Sequence, residues 1–136
     1  MREVMVDTDI LSFYMKGDKN VINHFAKYLN SYNNINLSII SYYEIISGLK
    51  FKDAQRQLQI FELFCQENTI LPFTTRSARI AGDLYKDSRN KGIPVDDIDL
   101  LIASIALENS LTLVTNNTRH FENIEDLDLE NWKASV

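Results

Sequence analysis

The sequence predicts an α/β fold: a central parallel sheet with helices on both faces. Three observations carry that expectation. Short apolar or β-branched runs alternate with amphipathic stretches along the chain. Only four glycines and two prolines interrupt 136 residues. No repeat or low-complexity linker divides them, so a single domain over 1–136 is expected.

Glu3-Val4-Met5-Val6 reads as a short buried strand that stops at Asp7. Helices are expected over 9–15 and 20–32; in the second, Val21, Phe25, Tyr28, Leu29 and Tyr32 recur at three- and four-residue spacing. The run 36–40 is a second strand candidate, rich in β-branched residues. Ser41 with Glu44 three residues on has the spacing of a capping box, which starts a helix over 42–51. Another follows over 53–68 with Leu58, Phe61 and Cys65 on one face. The stretch 70–73 reads as a short strand with an edge-type proline, Pro72. An amphipathic helix over 75–91 ends at Gly92, a natural residue for the left-handed turn past a helix end. The most apolar helix covers 97–109, with Ile98, Leu101, Ile102, Ile105 and Ala106 as expected core, and 111–115 closes the pattern as a strand. In such a fold, ligands bind outside the carboxyl ends of the strands.

Composition narrows the function classes. With 45% hydrophobic and 24% charged residues the chain is globular rather than disordered. No apolar run reaches the ~18–20 residues that cross a bilayer, and the few apolar residues before Asp7 do not make a signal peptide. The single cysteine, Cys65, excludes a disulfide framework and a multi-cysteine metal site. A cytoplasmic protein with no membrane partner is expected. The net charge is −5, but residues 121–136 hold five acids against one base, so the remainder is nearly neutral. That excludes binding through a broad basic surface and leaves room for an acidic pocket rimmed by bases.

Acids collect where the strands should end. Asp7 follows the first strand, Glu44 lies one helical turn past the second, and Asp99 lies in the first turn of the helix near 97; Asn116 and Asn117 follow the last strand. Ile102, Ala103 and Ala106 put Asp99 on an otherwise apolar stripe, where a lone carboxylate is costly. Each acid has a plain structural alternative. Asp99 could serve the helix dipole, a role that suits Asp96 and Asp97 better; Glu44 could complete the capping box; Asp7 could cap helix 9–15, a task its neighbour Asp9 is better placed to take. Gly48, one turn past Glu44, is a costly residue inside a helix and suggests close approach of another backbone.

Clustered oxygen ligands without cysteine or histidine select Mg²⁺, with Mn²⁺ as substitute, and suit phosphate chemistry. His24 and His120 read as ordinary polar residues. Neither a G-x-S-x-G elbow nor a Walker or G-x-G-x-x-G loop is present.

Four segments in order resemble the PIN-domain nucleases, and within them the VapC-type toxins of toxin–antitoxin pairs. They are Val6-Asp7-Thr8-Asp9-Ile10-Leu11-Ser12, Ser38-Ile39-Ile40-Ser41-Tyr42-Tyr43-Glu44-Ile45-Ile46-Ser47-Gly48-Leu49, Ile93-Pro94-Val95-Asp96-Asp97-Ile98-Asp99-Leu100-Leu101-Ile102-Ala103-Ser104, and Leu113-Val114-Thr115-Asn116-Asn117-Thr118-Arg119-His120-Phe121. Leu129-Glu130-Asn131-Trp132 resembles the family's usual ending.

The resemblance implies the PIN-like three-layer fold. It also implies an acidic catalytic triad of Asp7, Glu44 and Asp99 that binds Mg²⁺ or Mn²⁺, with Thr8, Thr115 and Asn116 in support. The family's fourth acidic position falls on Asn117 here, and Asp97 is a substitute carboxylate; one-metal and two-metal sites both stay open. The implied activity is cleavage of RNA, often tRNA in a structured loop, leaving a 5′-phosphate. The implied partners are a cognate antitoxin over the acidic cleft and a second copy in a homodimer. Lys50, Lys52 and Arg119 are candidates for gripping RNA, with Lys16, Arg76 and Arg79 behind them.

Two other readings compete. Asp7-Thr8-Asp9 mimics the start of haloacid-dehalogenase-like phosphatases, but Leu11 breaks that motif and 111–121 lacks the lysine it needs. A catalytically silent binding protein of the same fold is the other.

Overall fold

The computed structural model describes residues 2–135. Three apolar residues, Val4–Val6 (β1), form the centre of the sheet and are buried on both faces. Around them lie β2 (Asn36–Ser38), β3 (Thr69–Leu71), β4 (Thr112–Val114) and β5 (Leu129–Glu130). The order is β3-β2-β1-β4-β5 and every pairing is parallel; Val4, Met5 and Val6 pair with Thr112, Leu113 and Val114. Seven helices complete the described residues: α1 (Thr8–Met15), α2 (Lys19–Tyr28), α3 (Ile39–Phe51), α4 (Gln55–Gln66), α5 (Thr75–Asn90), α6 (Asp97–Glu108) and α7 (Thr118–Phe121).

The two-residue period of a strand explains the layering. Val4, Val6 and Val114 enter one core with Ile10, Leu11, Phe25, Tyr28, Ile45, Phe61 and Trp132, from α1–α4 and the chain end. Met5 and Leu113 enter the other with Leu100, Ile102, Ile105, Ala106 and Phe121, from α6 and α7. Among the described residues, no helix is long and apolar enough to cross a membrane.

The chain runs outward from β1 to β2 and β3, then crosses back to β4 on the other side of β1. The strand order therefore reverses between β1 and β4. Two neighbouring strands feed connections to opposite faces there and open a crevice at their carboxyl ends.

Several local expectations need correction. The β-branched run 36–40 is strand only to Ser38. The Ser38 side chain accepts from Ser41 N at 3.0 Å, so Ile39 and Ile40 already belong to α3. The capping-box pairing of Ser41 with Glu44 is thereby lost. A Cβ added at Gly48 meets nothing within 4 Å, so no backbone approaches it closely. Helix α2 stops at Tyr28 rather than 32, and the expected core residues Ile98 and Leu101 are only half-buried. Strand β3 ends before Pro72 and lies at the sheet edge, where a missing N–H is tolerated. Gly92 does take the left-handed turn after α5, at φ +70.

Candidate active site

Asp7 stands where β1 gives way to α1. Its backbone is extended and its Oδ1 accepts from Thr8 N at 2.8 Å, so Asp7 itself caps α1. This corrects the assignment of that role to Asp9. Across the switch point, Thr115 Oγ1 donates to Asp7 Oδ2 at 2.8 Å and accepts from Asn117 N at 3.1 Å. The end of β4 thus fixes the orientation of the carboxylate at the end of β1.

Glu44 comes from the second turn of α3, because the helix begins earlier than a cap at Ser41 would allow. Thr8 Oγ1 donates to Glu44 Oε1 at 2.6 Å and lies 2.8 Å from Ser41 Oγ. Asp99, in the first turn of α6, is half-buried, and its Oδ2 is 3.2 Å from His120 Nδ1. The N-cap of α6 is Asp96, so Asp99 is not the capping residue.

The electrostatics tie these groups into one cluster. Asp7 is only 5% exposed. Burial, then the charge of Asp9, pushes its carboxyl from 3.8 up to about 7; hydrogen bonds from Thr115 and Thr8 oppose the rise and the charge of Asp99 adds to it. Burial also raises Asp99; His120 opposes that, while Asp96 and Glu44 reinforce it. Asp9 is raised by burial against hydrogen bonds from Ile10 N and Asn116 N. Acids from three elements therefore repel one another at the mouth of the crevice.

Some candidates stand apart. Asp97 is exposed, and the α6 acid that acts on Asp99 is Asp96. Asn117 is exposed and its side chain caps nothing; it reaches the cluster through its backbone N–H. Asn116 N donates to Asp9 Oδ2 at 3.0 Å, and Asn131 Nδ2 donates to Asn116 Oδ1 at 3.1 Å. Lys50 and Lys52 are exposed at the far end of α3, roughly 9–12 Å along the helix axis from Glu44 at 1.5 Å per residue. Lys16, Arg76 and Arg79 are exposed surface residues, whereas Arg119 borders a cavity shared with Asp99.

The sequence reading missed Asp9, Ser41 and His120 as members of this network. Asp9 carried the one available signal, a second acid three residues past a strand end. His120 carried none, because only the fold brings α7 against α6.

Among the described residues no group of three or more histidine, cysteine, aspartate or glutamate side chains is drawn together closely enough to hold a metal ion by itself. The donors nonetheless suit a hard divalent cation. They are oxygens, they carry like charge, and Glu44 Oε2 and Asp99 Oδ1 have no hydrogen-bond partner among the described residues. Magnesium keeps several waters, so it needs no complete protein cage.

A family model described as the PIN domain matches residues 4–127. The chain belongs to the PIN-domain family. This PIN-domain chain is 31% identical over 129 residues to Ribonuclease VapC2 of Rickettsia felis, covering 94% of this chain and 96% of that one. It is 31% identical over 134 residues to a protein named tRNA(fMet)-specific endonuclease VapC from Salmonella typhimurium, covering 97% and 99%. Among solved structures it is similar to VapBC2 of Rickettsia felis bound to a promoter DNA fragment, with TM-score 0.86, 30% identity and coverage of 95% and 98%. DNA-bound VapBC from Salmonella typhimurium is similar at TM-score 0.85, with 30% identity. These likenesses place the PIN domain among the VapC ribonucleases, and its enzymatic class is nuclease.

Proposed function

We propose that this PIN domain is a Mg²⁺-dependent endoribonuclease toxin. It hydrolyses phosphodiester bonds of tRNA or another structured RNA and is held silent by a cognate antitoxin. The electrostatic coupling of Asp7 to Asp99 at the β1–β4 crevice, with Glu44 coupled to Asp99 and held by Thr8, carries this reading. Their mutual repulsion and burial have no benefit for folding, and a cation with a phosphate substrate would relieve them. Asp7 and Asp99 are the residues to hold Mg²⁺ or Mn²⁺, with Glu44 directly or through water. A bound cation supplies Lewis acidity at the phosphoryl oxygen and a more acidic water.

The chain's own residues do the positioning. Thr115 and Thr8 N hold the Asp7 carboxylate, Thr8 Oγ1 holds Glu44, and His120 holds Asp99. Water rather than the ribose hydroxyl attacks phosphorus, which leaves a 5′-phosphate.

The named activities of the relatives support RNA as substrate, and one is named for tRNA(fMet). The VapBC complexes among the structural neighbours support an antitoxin partner. So does the apolar surface of α3 and α4, where Tyr43, Phe51, Ile60 and Leu63 are 61%, 93%, 50% and 62% exposed. A homodimer or toxin–antitoxin assembly in the cytoplasm completes the proposal. The test is cleavage of a tRNA(fMet) transcript by purified protein with Mg²⁺ or Mn²⁺, with EDTA, and with Asp7→Asn. Cleavage that survives EDTA or the substitution would overturn it.

A further inference from the structure

We propose that the cavity beside Asp99 is a subsite for one unpaired nucleotide next to the phosphate being cut, with Asn123 and Arg119 as its recognition residues. The proposal rests on the nuclease reading above and names a site within it. The cavity measures about 290 Å³ and its walls include Ile93, Pro94, Asp99, Arg119, His120 and Asn123. That volume lies near the roughly 300 Å³ lower end of ligand cavities. It admits a single nucleotide and not a duplex.

The walls differ in chemistry. After the left-handed turn at Gly92, the loop into α6 presents Ile93, 45% exposed, and the exposed Pro94. This apolar wall faces solvent at the edge of a charged site, and neither residue belongs to the cores. The lining contributed by α7 and the turn after it is polar. Asn123 offers a donor and an acceptor on one planar amide, the pattern that reads a base edge. Arg119 makes no ion pair among the described residues, so its guanidinium is available for a phosphate.

Asp99 also lines the cavity and is itself in the acidic cluster. A flat ring against Ile93 and Pro94, an edge toward Asn123 and an anion toward Arg119 describe a nucleotide. The carboxylates of Asp96 and Asp99 in the same walls repel an anion and drive the phosphate to the Arg119 rim. A base enters only after leaving its stack, which favours loops over helices.

The test uses a short oligoadenylate strand with one central 2-aminopurine, whose fluorescence is quenched while stacked. Titrated with the Asp7→Asn protein, the strand should brighten as the base is lifted out, and the same strand annealed into a duplex should not. Asn123→Ala and Arg119→Ala in that background should each weaken binding about tenfold, the loss of one good polar contact. In the cleaving protein Asn123→Ala should raise KM and leave kcat within about twofold, the mark of binding lost equally in ground and transition states. Unchanged binding and KM in both variants, or equal capture of duplex, would overturn the subsite even if the parent cleaves RNA. Capture without cleavage by the parent would uphold the subsite and overturn the nuclease reading. Neither capture nor cleavage would overturn both.

Discussion

Asp7 does two tasks that pull in opposite directions. As the cap of α1 it accepts Thr8 N and favours ionisation, yet burial and the charges of Asp9 and Asp99 raise its carboxyl to about 7. The gap from 3.8 to about 7 corresponds to on the order of 4 kcal/mol against the ionised form. Because the folded value lies above the unfolded one, this stabilising contribution is complete below about pH 4. It is lost as pH rises through about 7. Asp18 and Glu108 shift the other way and lose their contributions only as pH falls below their ordinary values of 3.8 and 4.5. Thermal midpoints of metal-free protein between pH 5 and 8 should therefore fall, and Asp7→Asn should flatten that fall. The same substitution should abolish RNA cleavage without lowering the midpoint at pH 8. Asp99→Asn should likewise abolish cleavage and retain the fold. Asp99 is not the α6 cap, so the typical ~1 kcal/mol loss of a capping residue is not expected from it.

The α3 element shows how far the sequence could be read, and why it failed where it did. β1, α6 and the alternation of strands and helices were legible, because their apolar runs are long or bounded by charge. The start of α3 was not. Ser38 and Ser41 both fit a cap, and the β-branched Ile39 and Ile40 suit a strand as well as a helix. Tertiary packing of α3 on the sheet chose Ser38 and thereby freed Glu44 for Thr8. Strand β5, two residues long, and α7, four residues long, are too short to show a period, so the His120 contact with Asp99 was invisible. Ser38→Ala should cost ~0.5–2 kcal/mol of unfolding free energy while kcat/KM stays close to that of the parent. Thr8→Ala should do the reverse. Its loss leaves Glu44 unheld and should lower metal-dependent cleavage ~10–100-fold, as removal of a ligand's supporting hydrogen bond does elsewhere. Denaturant midpoints and initial cleavage rates on both variants separate the two roles.

At the scale of the whole molecule, the fold concentrates charge that it does not neutralise. Two apolar cores clamp the sheet from either side, so the acids at its carboxyl edge cannot drift apart without unpacking β1 and β4. A divalent cation should therefore act on stability as well as on catalysis. Binding to the folded state alone adds about 2.7 kcal/mol at a hundredfold excess over Kd. The pH dependence of that gain has a definite sign. With Asp7 as a ligand, below about pH 7 the cation would have to displace a proton from it, so the gain should be small at pH 5.5 and large at pH 8. This is opposite in sign to the metal-free slope, so added Mn²⁺ should level or invert the pH profile of the thermal midpoint. Sodium chloride at matched ionic strength serves as a control for non-specific screening, since a general ionic effect would depend on ionic strength alone. A Mn²⁺-induced shift that is equal at pH 5.5 and 8, or that persists in Asp7→Asn, would place the cation away from the β1–β4 crevice. A shift that grows with pH and vanishes in both Asp7→Asn and Asp99→Asn would place it at the β1–β4 crevice, beside Asp7 and the first turn of α6.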